Sequence, residues 1–389
     1  MLGSYSQSLV VNLPPEASDT LEKVGNRDFI HHSRQISMAR SLTYTQAPWL
    51  ETYTEIIDVR SPSEFAEDHL PQAINLPVLD DEQRAKVGTL YKQVSPFQAR
   101  KLGATLVAGN VAQHLESHFA AKDKDYHPLV YCWRGGQRSY SLAGVLNEIG
   151  WRVTVLEGGY KTYRTYVRQQ LETLPPQFTF QVLSGFTGSG KTYILHQLAQ
   201  RGVQVLDLEG LANHRGSLLG QQWQDQPTPQ PSQKQFESLL LLALQRFDPS
   251  QPIWVEAESN KIGQRYLPPS LWQQMKQANC IEFQLPQAVR IERLLHEYPH
   301  FISHPDVLKR KLVYLKSRYG GQKIQHWYHL IDTKQWHTLV GELLSHHYDP
   351  AYRRSIGHLY QSASRILESD EVSDTTVEAL LESVKPECQ

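Results

Sequence analysis

The sequence predicts two α/β domains, each with a parallel β-sheet, followed by a helical C-terminal region. Short apolar runs alternate with helical patterns over residues 55–156, and the same alternation begins again at residue 178. In each half, one apolar run leads through a glycine-bearing loop into a predicted helix. The length of 389 residues also favours two domains, because it is too great for one ordinary hydrophobic core.

The composition indicates a globular protein of the cytosol. Hydrophobic residues make up 40% of the chain, and no apolar run approaches the roughly 20 residues of a transmembrane helix. The first eleven residues have neither a basic segment nor a long apolar core, so we expect no signal peptide. Three cysteines, Cys132, Cys280 and Cys388, are too few for a disulfide framework and suit a reducing compartment. We therefore expect a cytoplasmic protein without membrane contact, in which Cys132 is free to react.

The first domain is predicted to span residues 41–173. It follows an N-terminal extension, residues 1–40, whose mixed composition indicates a mobile or loosely docked segment. Apolar runs predict strands at residues 55–60, 73–77, 129–131 and 153–156. Ser61 followed by Pro62 marks a helix start, because proline is favoured in the first helical turn. Further helices are predicted within residues 80–121 and 139–149.

The second domain is predicted to span residues 177–345, after a boundary at Pro175 and Pro176. The predicted strands are residues 178–184, 203–208, 253–256 and 281–285, and the predicted helices are residues 193–201, 235–247 and 271–278. A segment rich in Gln and Pro, residues 220–233, is predicted to be a mobile loop near the ligand. Residues 346–389 are predicted to form the helical C-terminal region.

The loop of the first domain is a candidate anion site with a nucleophile. It reads Cys132, Trp133, Arg134, Gly135, Gly136, Gln137, Arg138 and Ser139. Backbone N–H groups of a short loop that ends at a helix N-terminus converge on one point and stabilise an anion there. The same field lowers the pKa of a thiol, so Cys132 is the candidate catalytic residue. The C-x-x-x-x-x-R spacing occurs both in cysteine phosphatases and in rhodanese-type transferases.

The loop of the second domain is a candidate diphosphate site. It reads Gly185, Phe186, Thr187, Gly188, Ser189, Gly190, Lys191 and Thr192, a complete G-x-x-x-x-G-K-[ST] sequence between a predicted strand and a predicted helix. Lys191 would reach the outer phosphate, and the Thr192 hydroxyl is a candidate ligand of Mg²⁺. Acidic and basic residues elsewhere would support this site or serve only as loop caps and surface groups: Asp207, Glu209, Glu256, Glu258, Arg290 and Arg293.

The charge distribution offers one candidate polyanion surface. The net charge is −1, which gives no overall attraction to nucleic acid. A local basic run contains Lys309, Arg310, Lys311, Lys316 and Arg318, with Lys323 close behind. A solvated helix face is the simpler interpretation of such a run, and a polyanion-binding face is the alternative.

Two further groups of residues give the chain a family resemblance. Residues 58–65, 69–77 and 151–159 resemble a rhodanese homology domain, although the cysteine loop is one residue longer than is usual in rhodanese sulfurtransferases. Four segments in order, residues 132–139, 185–192, 207–216 and 255–263, resemble the tRNA 2-selenouridine synthase family. The resemblance covers residues 45–345. It implies a rhodanese-like parallel-sheet domain followed by a P-loop NTPase-like α/β domain.

The resemblance also implies a chemistry. Members of this family replace sulfur by selenium in wobble-position 2-thiouridine of tRNA, with selenophosphate as donor and a geranyl group from geranyl diphosphate on the departing sulfur. By position, Cys132 would handle selenium and residues 185–192 would hold the diphosphate, with His214 and Arg215 added to the supporting residues. The partners would be thiolated tRNA, contacted through the basic run, and the enzyme that produces selenophosphate.

Three alternatives stay open from the residues alone. A cysteine phosphatase of the C-x-x-x-x-x-R type would explain the first loop and leave the second unexplained. A P-loop kinase with a regulatory rhodanese module would explain the second loop. A tRNA-binding protein without enzymatic activity is the third alternative.

Overall fold

The computed structural model describes residues 41–359 and 365–384, so the predicted extension at residues 1–40 and Cys388 lie outside the described residues. The first domain contains a parallel sheet in the order β1-β5-β4-β2-β3. Its strands are β1 (Thr43–Thr45), β2 (Glu55–Asp58), β3 (Ala73–Asn75), β4 (Pro128–Tyr131) and β5 (Thr154–Leu156). Its helices are α1 (Pro62–Glu67), α2 (Asp81–Gln93), α3 (Pro96–His114), α4 (Gln137–Ile149) and α5 (Tyr160–Thr173).

Local sequence explains where the helices of the first domain begin. Asp80 accepts a hydrogen bond from the Gln83 backbone at 2.7 Å, and the Gln83 side chain accepts one from the Asp80 backbone at 3.2 Å, which starts α2. The predicted helical region 80–121 is divided in two, because Pro96 disfavours a helical conformation at Ser95, which is extended at φ −160° and ψ 124°. The second part, α3, continues through a π-helical turn at Leu115–Phe119.

The second domain contains another parallel sheet, in the order β14-β13-β6-β10-β7, and two short antiparallel hairpins. Its strands are β6 (Phe180–Ser184), β7 (Val205–Leu206), β8 (Trp223–Gln224), β9 (Gln226–Pro227), β10 (Ile253–Glu256), β11 (Lys261–Ile262), β12 (Arg265–Tyr266), β13 (Asn279–Gln284) and β14 (Arg365–Glu368). Its helices up to residue 312 are α6 (Lys191–Gln200), α7 (Leu208–Ala212), α8 (Gln233–Leu244), α9 (Pro269–Gln277), α10 (Gln287–Glu297), α11 (Pro299–Ser303) and α12 (Pro305–Leu312). The later helices are α13 (Lys316–Asp332), α14 (Trp336–Leu343), α15 (Asp349–Leu359) and α16 (Asp374–Val384).

In its described part, residues 346–359 and 365–384, the C-terminal region is helical, as predicted, with one strand in addition. Residues 365–368 form β14, which pairs in parallel with β13 at the edge of the second sheet. Val377 and Leu380 of α16 are fully buried in the same core as Leu195 and Leu198 of α6. The sheet and core therefore continue beyond residue 345, where the sequence predicts a domain boundary.

The two α/β domains share an apolar core. Helix α5 contacts α8 and α9 of the second domain, and Tyr163 and Val167 of α5 belong to one buried cluster with Phe236 and Leu240 of α8. Polar contacts cross the same boundary. Buried Asp68 accepts hydrogen bonds from the Tyr160 hydroxyl at 2.8 Å and from the Ser238 hydroxyl at 3.0 Å. Because the packing is continuous, the loops of residues 132–139 and 185–192 keep a fixed position relative to each other.

None of the helices in the described parts of the chain is long and apolar enough to cross a membrane. The segment 220–233, predicted to be a mobile loop, contains the β8-β9 hairpin and the start of α8.

Candidate active site

The cysteine loop connects β4 to α4 and lies against the turn that follows β5. The backbone N–H of Tyr160 donates to the Cys132 carbonyl at 2.8 Å, and that of Lys161 donates to the Trp133 carbonyl at 3.1 Å. The Trp133 ring packs against the Tyr160 ring, with Lys234 of the second domain over its face at 5.6 Å. The closing turn of the first domain and a side chain from the second therefore fix the shape of the loop.

The loop stabilises the thiolate through hydrogen bonds. Cys132 Sγ accepts a bond from the Gly136 N–H at 3.3 Å and lies 3.4 Å from the Ser139 hydroxyl. Burial alone would raise the pKa of Cys132, but the Ser139 hydroxyl and the backbone N–H groups of Gly136, Arg134 and Ser139 lower it below its usual value. The thiol is therefore poised to act as a nucleophile.

The two arginines of the loop differ in what they contact. Arg138 donates to both carboxylate oxygens of Glu64, at 2.6 and 3.4 Å, and Arg84 Nε lies 2.9 Å from the same carboxylate. The Arg134 side chain is exposed, and its backbone N–H is the group that stabilises the thiolate. The field at Cys132 thus comes mainly from the backbone and from Ser139.

We predict that Cys132 reacts faster with iodoacetamide than Cys280 does at pH 7. Both thiols are almost fully buried, at 3% and 4% exposure, so access is matched. Burial raises the pKa of Cys280, whereas hydrogen bonds lower that of Cys132. Because a lower pKa gives a larger thiolate fraction at pH 7, Cys132 should react faster, and the ratio of the two rates should shrink as the pH rises. Peptide mass mapping of timed samples measures the two reaction rates. Equal rates at pH 7 would contradict the conclusion that the loop stabilises the Cys132 thiolate.

The second loop is a P-loop whose lysine lies between a backbone carbonyl and a carboxylate, both of which attract its positive charge. It connects β6 to α6, and Lys191 is buried at the first position of the helix. Its Nζ donates to the Gly185 carbonyl at 2.9 Å and lies 3.3 Å from Glu256 Oε1. Burial alone would lower the pKa of Lys191, but Glu256 and the other nearby acids raise it, so the ammonium stays charged.

Three of the four predicted acidic residues converge beside the P-loop. Carboxylate oxygens of Glu209, Glu256 and Glu258 lie within 4.8 Å of one another, and the Thr192 hydroxyl donates to Glu256 at 2.9 Å. Burial, and then the charge of Glu256, raise the pKa of Glu258 to about 8 and that of Glu209 well above its usual value. Asp207 does not join them: its carboxylate accepts the Gly210 N–H at 2.8 Å and caps α7.

The four basic residues predicted to support the site lie in different positions around the P-loop. Arg290 makes two hydrogen bonds to Asp349, at 2.9 and 2.8 Å, and one to the Thr187 carbonyl at 3.2 Å, so it braces the loop. Arg293 lies against the loop, since a methyl group added at Gly190 would meet its Nη2 at 2.9 Å. Arg215 lines the cleft around the P-loop and donates to the Glu297 carbonyl at 3.2 Å. His214 lines a separate polar pocket beside that cleft.

The C-terminal helices supply residues that the sequence did not identify. The Gly185 N–H donates to the Tyr352 hydroxyl at 2.5 Å, and the Tyr352 ring lies 5.3 Å from the Phe186 ring. The Arg353 guanidinium lies over the Phe186 ring, 5.3 Å from its centroid. Tyr352 follows Asp349 on one face of α15, a spacing of three residues that marks a helix face but does not point to a site.

A cleft of about 630 Å³ surrounds the P-loop and adjoins a smaller apolar pocket of about 70 Å³. The two share Thr187, Ser217, Leu294, Tyr298 and Tyr348 in their walls. The rest of the small pocket is lined by aliphatic and aromatic side chains, namely Leu219, Leu295, Phe301, Ile302, Leu308, Trp336, Leu339, Val340, Leu343 and Leu344. A ligand with a phosphate end and a hydrocarbon end would match this pair of cavities.

Only part of the basic run is available to a polyanion. Lys309 Nζ pairs with Asp332 at 2.5 Å, and Lys311 Nζ donates to Gln221 at 3.0 Å. The side chains of Arg310, Lys316 and Arg318 are exposed. The exposed three are therefore the stronger candidates for nucleic-acid contact.

Comparison with known proteins gives consistent matches to one family. The tRNA 2-selenouridine synthase AAA domain matches residues 178–383, and the rhodanese-like domain matches residues 46–165. A tRNA 2-selenouridine synthase of Shewanella sediminis is 33% identical over 327 residues, with 77% of this chain and 86% of that protein covered. Another, of a Sulfurovum species, is 35% identical over 344 residues, with 81% and 91% covered. These matches confirm both predicted kinds of domain, and the chain belongs to the tRNA 2-selenouridine synthase family.

Proposed function

We propose that this protein replaces sulfur by selenium in wobble-position 2-thiouridine of tRNA, with selenophosphate as donor and an S-geranylated nucleoside as intermediate. The relatives are named for a selenium modification of tRNA. The observation that carries the proposal is the presence of two distinct anion sites in one packed unit. One holds a polarised thiol, and the other is a P-loop whose cleft continues into an apolar pocket.

The geranyl step would take place at the P-loop. The sulfur of 2-thiouridine attacks C1 of geranyl diphosphate, so that a C–S bond forms while the C–O bond breaks. The diphosphate leaves with the electron pair, and the backbone N–H groups of residues 185–192 and the Lys191 ammonium would stabilise its charge. Prior attachment of the geranyl group makes the sulfur a better leaving group for the selenium step.

The selenium step would use the Cys132 thiolate. The thiolate attacks the phosphorus of selenophosphate, and selenium departs with the electron pair as hydroselenide. Water then cleaves the S–P bond, which releases phosphate and restores the thiol. Hydroselenide attacks C2 of the geranylated nucleoside and displaces the geranyl thiolate. Selenium keeps the same oxidation state throughout, so these steps need no redox partner.

The carboxylate cluster fits a divalent cation. Three carboxyl groups, those of Glu209, Glu256 and Glu258, have oxygen atoms within 4.8 Å of one another, and Glu256 accepts a hydrogen bond from the Thr192 hydroxyl. Oxygen atoms of this kind are the ligands that Mg²⁺ prefers. We propose that Glu209, Glu256, Glu258 and the Thr192 hydroxyl would hold it. When bound, Mg²⁺ would neutralise part of the charge on the departing diphosphate.

The alternatives fit the site less well. A cysteine phosphatase would explain the polarised thiol but neither the P-loop nor the apolar pocket beside it. A kinase would explain the P-loop but not the apolar pocket beside it. With about 70 Å³, that pocket is half the size of the cavity of about 150 Å³ that binds benzene, so it suits the end of a hydrocarbon chain better than an aromatic base.

We predict that Val340→Trp weakens the use of geranyl diphosphate. Val340 lines the apolar pocket and is only partly buried, so the larger side chain can enter the pocket without overpacking the core. Loss of contact with two or more methylene groups, at about 0.8 kcal/mol each, should raise KM about tenfold or more. Inhibition by inorganic diphosphate should not change. Val313→Trp, at a site 49% exposed outside the pocket, is the control, and equal KM values in both variants would contradict the assignment of the pocket.

We predict that replacing Arg310, Lys316 and Arg318 by alanine weakens tRNA binding. Phosphate contacts release counterions, so the slope of log affinity against log salt should flatten by about 0.7 to 0.9 for each lost contact. Titration at several salt concentrations measures this slope. The control replaces three exposed cations elsewhere, namely Lys124, Arg152 and Arg246. If both variants keep the wild-type slope, the basic run is only a solvated helix face.

A further inference from the structure

A second polar pocket of about 590 Å³ lies beside the P-loop cleft and is not used by the steps above. It forms where the two segments singled out in the sequence after the P-loop, residues 207–216 and 255–263, come together. Its polar walls include His214, Gln221, Gln230, Lys261, Arg265 and Lys311. Gly216 and Ser217 line both this pocket and the cleft, so the two cavities adjoin.

The charge of this pocket is opposite to that of the neighbouring acidic cluster. Lys261, Arg265 and Lys311 line it, and no aspartate or glutamate does so within the described part of the chain. The P-loop cleft next to it is lined by four glutamates and one aspartate, namely Glu209, Glu256, Glu258, Glu297 and Asp207. A polyanionic ligand would therefore be attracted to this pocket and repelled by the acids behind it.

Two polar atoms in its walls are buried without a hydrogen-bond partner. They are Nδ1 of His214 and Nε of Arg265. Burial of an unpaired polar group costs free energy, so such atoms usually find a partner in a ligand or in ordered water. Burial, and then the charge of Lys311, lower the pKa of His214, which leaves a neutral imidazole at pH 7. A neutral imidazole can form a hydrogen bond with an uncharged base, and Arg265 Nε–H can donate to a phosphate or a carbonyl.

The walls of the pocket are tied together before any ligand binds. The Gln230 side chain donates to the Ala212 carbonyl at 2.9 Å and to the Ile262 carbonyl at 3.1 Å, and it accepts the Gln264 N–H at 2.7 Å. Gly216 has a φ of +65°, and a methyl group there would meet Glu258 at 2.6 Å. At Gly216, therefore, only the backbone separates the pocket from the acidic cluster, and there is no room for a side chain.

We propose that this pocket receives a nucleotide of the tRNA anticodon loop, with its base against His214 and its phosphates near Arg265 and Lys261. This inference rests on the proposed function, because the acceptor sulfur must reach the prenyl carbon beside the P-loop. A nucleotide in a pocket that shares a wall with the cleft meets that requirement. Single-stranded loops are also the parts of RNA whose bases can turn outward into such a pocket.

The first test is photo-crosslinking with an anticodon stem-loop RNA that carries 5-iodouridine at the wobble position. We expect crosslinked peptides from residues 212–230 or 261–266 of the full-length protein. Crosslinks confined to the exposed basic run, or to the first domain, would overturn the proposal. The test needs no turnover, so it gives the same answer even if the geranyl chemistry proposed above is wrong.

The second test compares binding of the same RNA by Arg265→Ala and Lys261→Ala with that of Arg246→Ala, a control at an exposed cation outside the pocket. We expect about tenfold weaker binding for each pocket variant and a salt slope smaller by about 0.7 per lost contact. Binding of inorganic diphosphate should stay at the wild-type level. Lys261 is exposed, so its variant keeps the test valid if Arg265→Ala does not fold.

Several outcomes would overturn the assignment. Wild-type RNA affinity in both pocket variants would exclude the pocket as a nucleotide site. An equal loss of diphosphate and RNA binding would show that these residues belong to the P-loop site. Displacement of the RNA by ATP at concentrations where uridine monophosphate has no effect would make the pocket a site for a free purine nucleotide.

Discussion

Replacement of Cys132 by alanine is expected to abolish selenium incorporation into tRNA and to leave geranylation close to the wild-type rate. The thiolate that the Ser139 hydroxyl and the Gly136 N–H stabilise is required only where selenophosphate is opened. Serine should fail as well, because its hydroxyl stays protonated at neutral pH. Nucleoside mass analysis of tRNA treated with each variant measures both steps.

The controls for Cys132→Ala separate chemistry from folding. Cys280→Ala removes an equally buried thiol from the second domain and should keep both activities. Hydroselenide supplied in place of selenophosphate should restore selenation by the alanine variant, since the step that Cys132 performs is then bypassed. Full selenation from selenophosphate without Cys132 would remove this residue from the mechanism.

Lys191→Ala is expected to block geranylation. A charge-assisted hydrogen bond to a diphosphate is worth about 1.5 to 3 kcal/mol, and the departing diphosphate loses its nearest ammonium as well. The rate should therefore fall by about two orders of magnitude. Steady-state geranylation of thiolated tRNA measures the effect, with Lys276→Ala as a control at a cation of α9 outside the cleft.

Selenation of tRNA that already carries the geranyl group should survive Lys191→Ala much better than geranylation does. That difference is expected because the two anion sites lie in separate loops, residues 132–139 and 185–192. An equal loss of both steps, in a variant shown to be folded and to bind tRNA, would contradict the division of labour between the sites.

Local patterns in the sequence predict much of the fold. Both loops lie between a strand and a helix because glycines, an apolar run before them and a helical pattern after them are encoded within about a dozen residues. The capping pair Asp80 and Gln83 is encoded over three residues. The effect of Pro96 is also local, because proline restricts the residue before it. The division of residues 80–121 into two helices at Pro96 is nevertheless not part of the sequence prediction.

Contacts between residues that are far apart in the chain could not be predicted from such local patterns. Tyr352 reaches the Gly185 N–H across 167 positions, and Arg138 reaches Glu64 across 74. Nothing in the immediate neighbourhood of these residues encodes such pairings, because they depend on how whole helices pack. The strand β14 was missed for a related reason: its four residues begin and end with charged side chains and pair only at the sheet edge.

The most direct test of the account is incubation of the wild-type protein with tRNA that carries 2-thiouridine, followed by nucleoside mass analysis. With geranyl diphosphate alone, we predict S-geranyl-2-thiouridine and no selenium product. Addition of selenophosphate should convert that nucleoside to 2-selenouridine, at the expense of the geranylated form and with release of geranyl thiol. Formation of 2-selenouridine at the same rate without geranyl diphosphate would contradict the proposed intermediate, and the absence of any selenium product would contradict the proposed function.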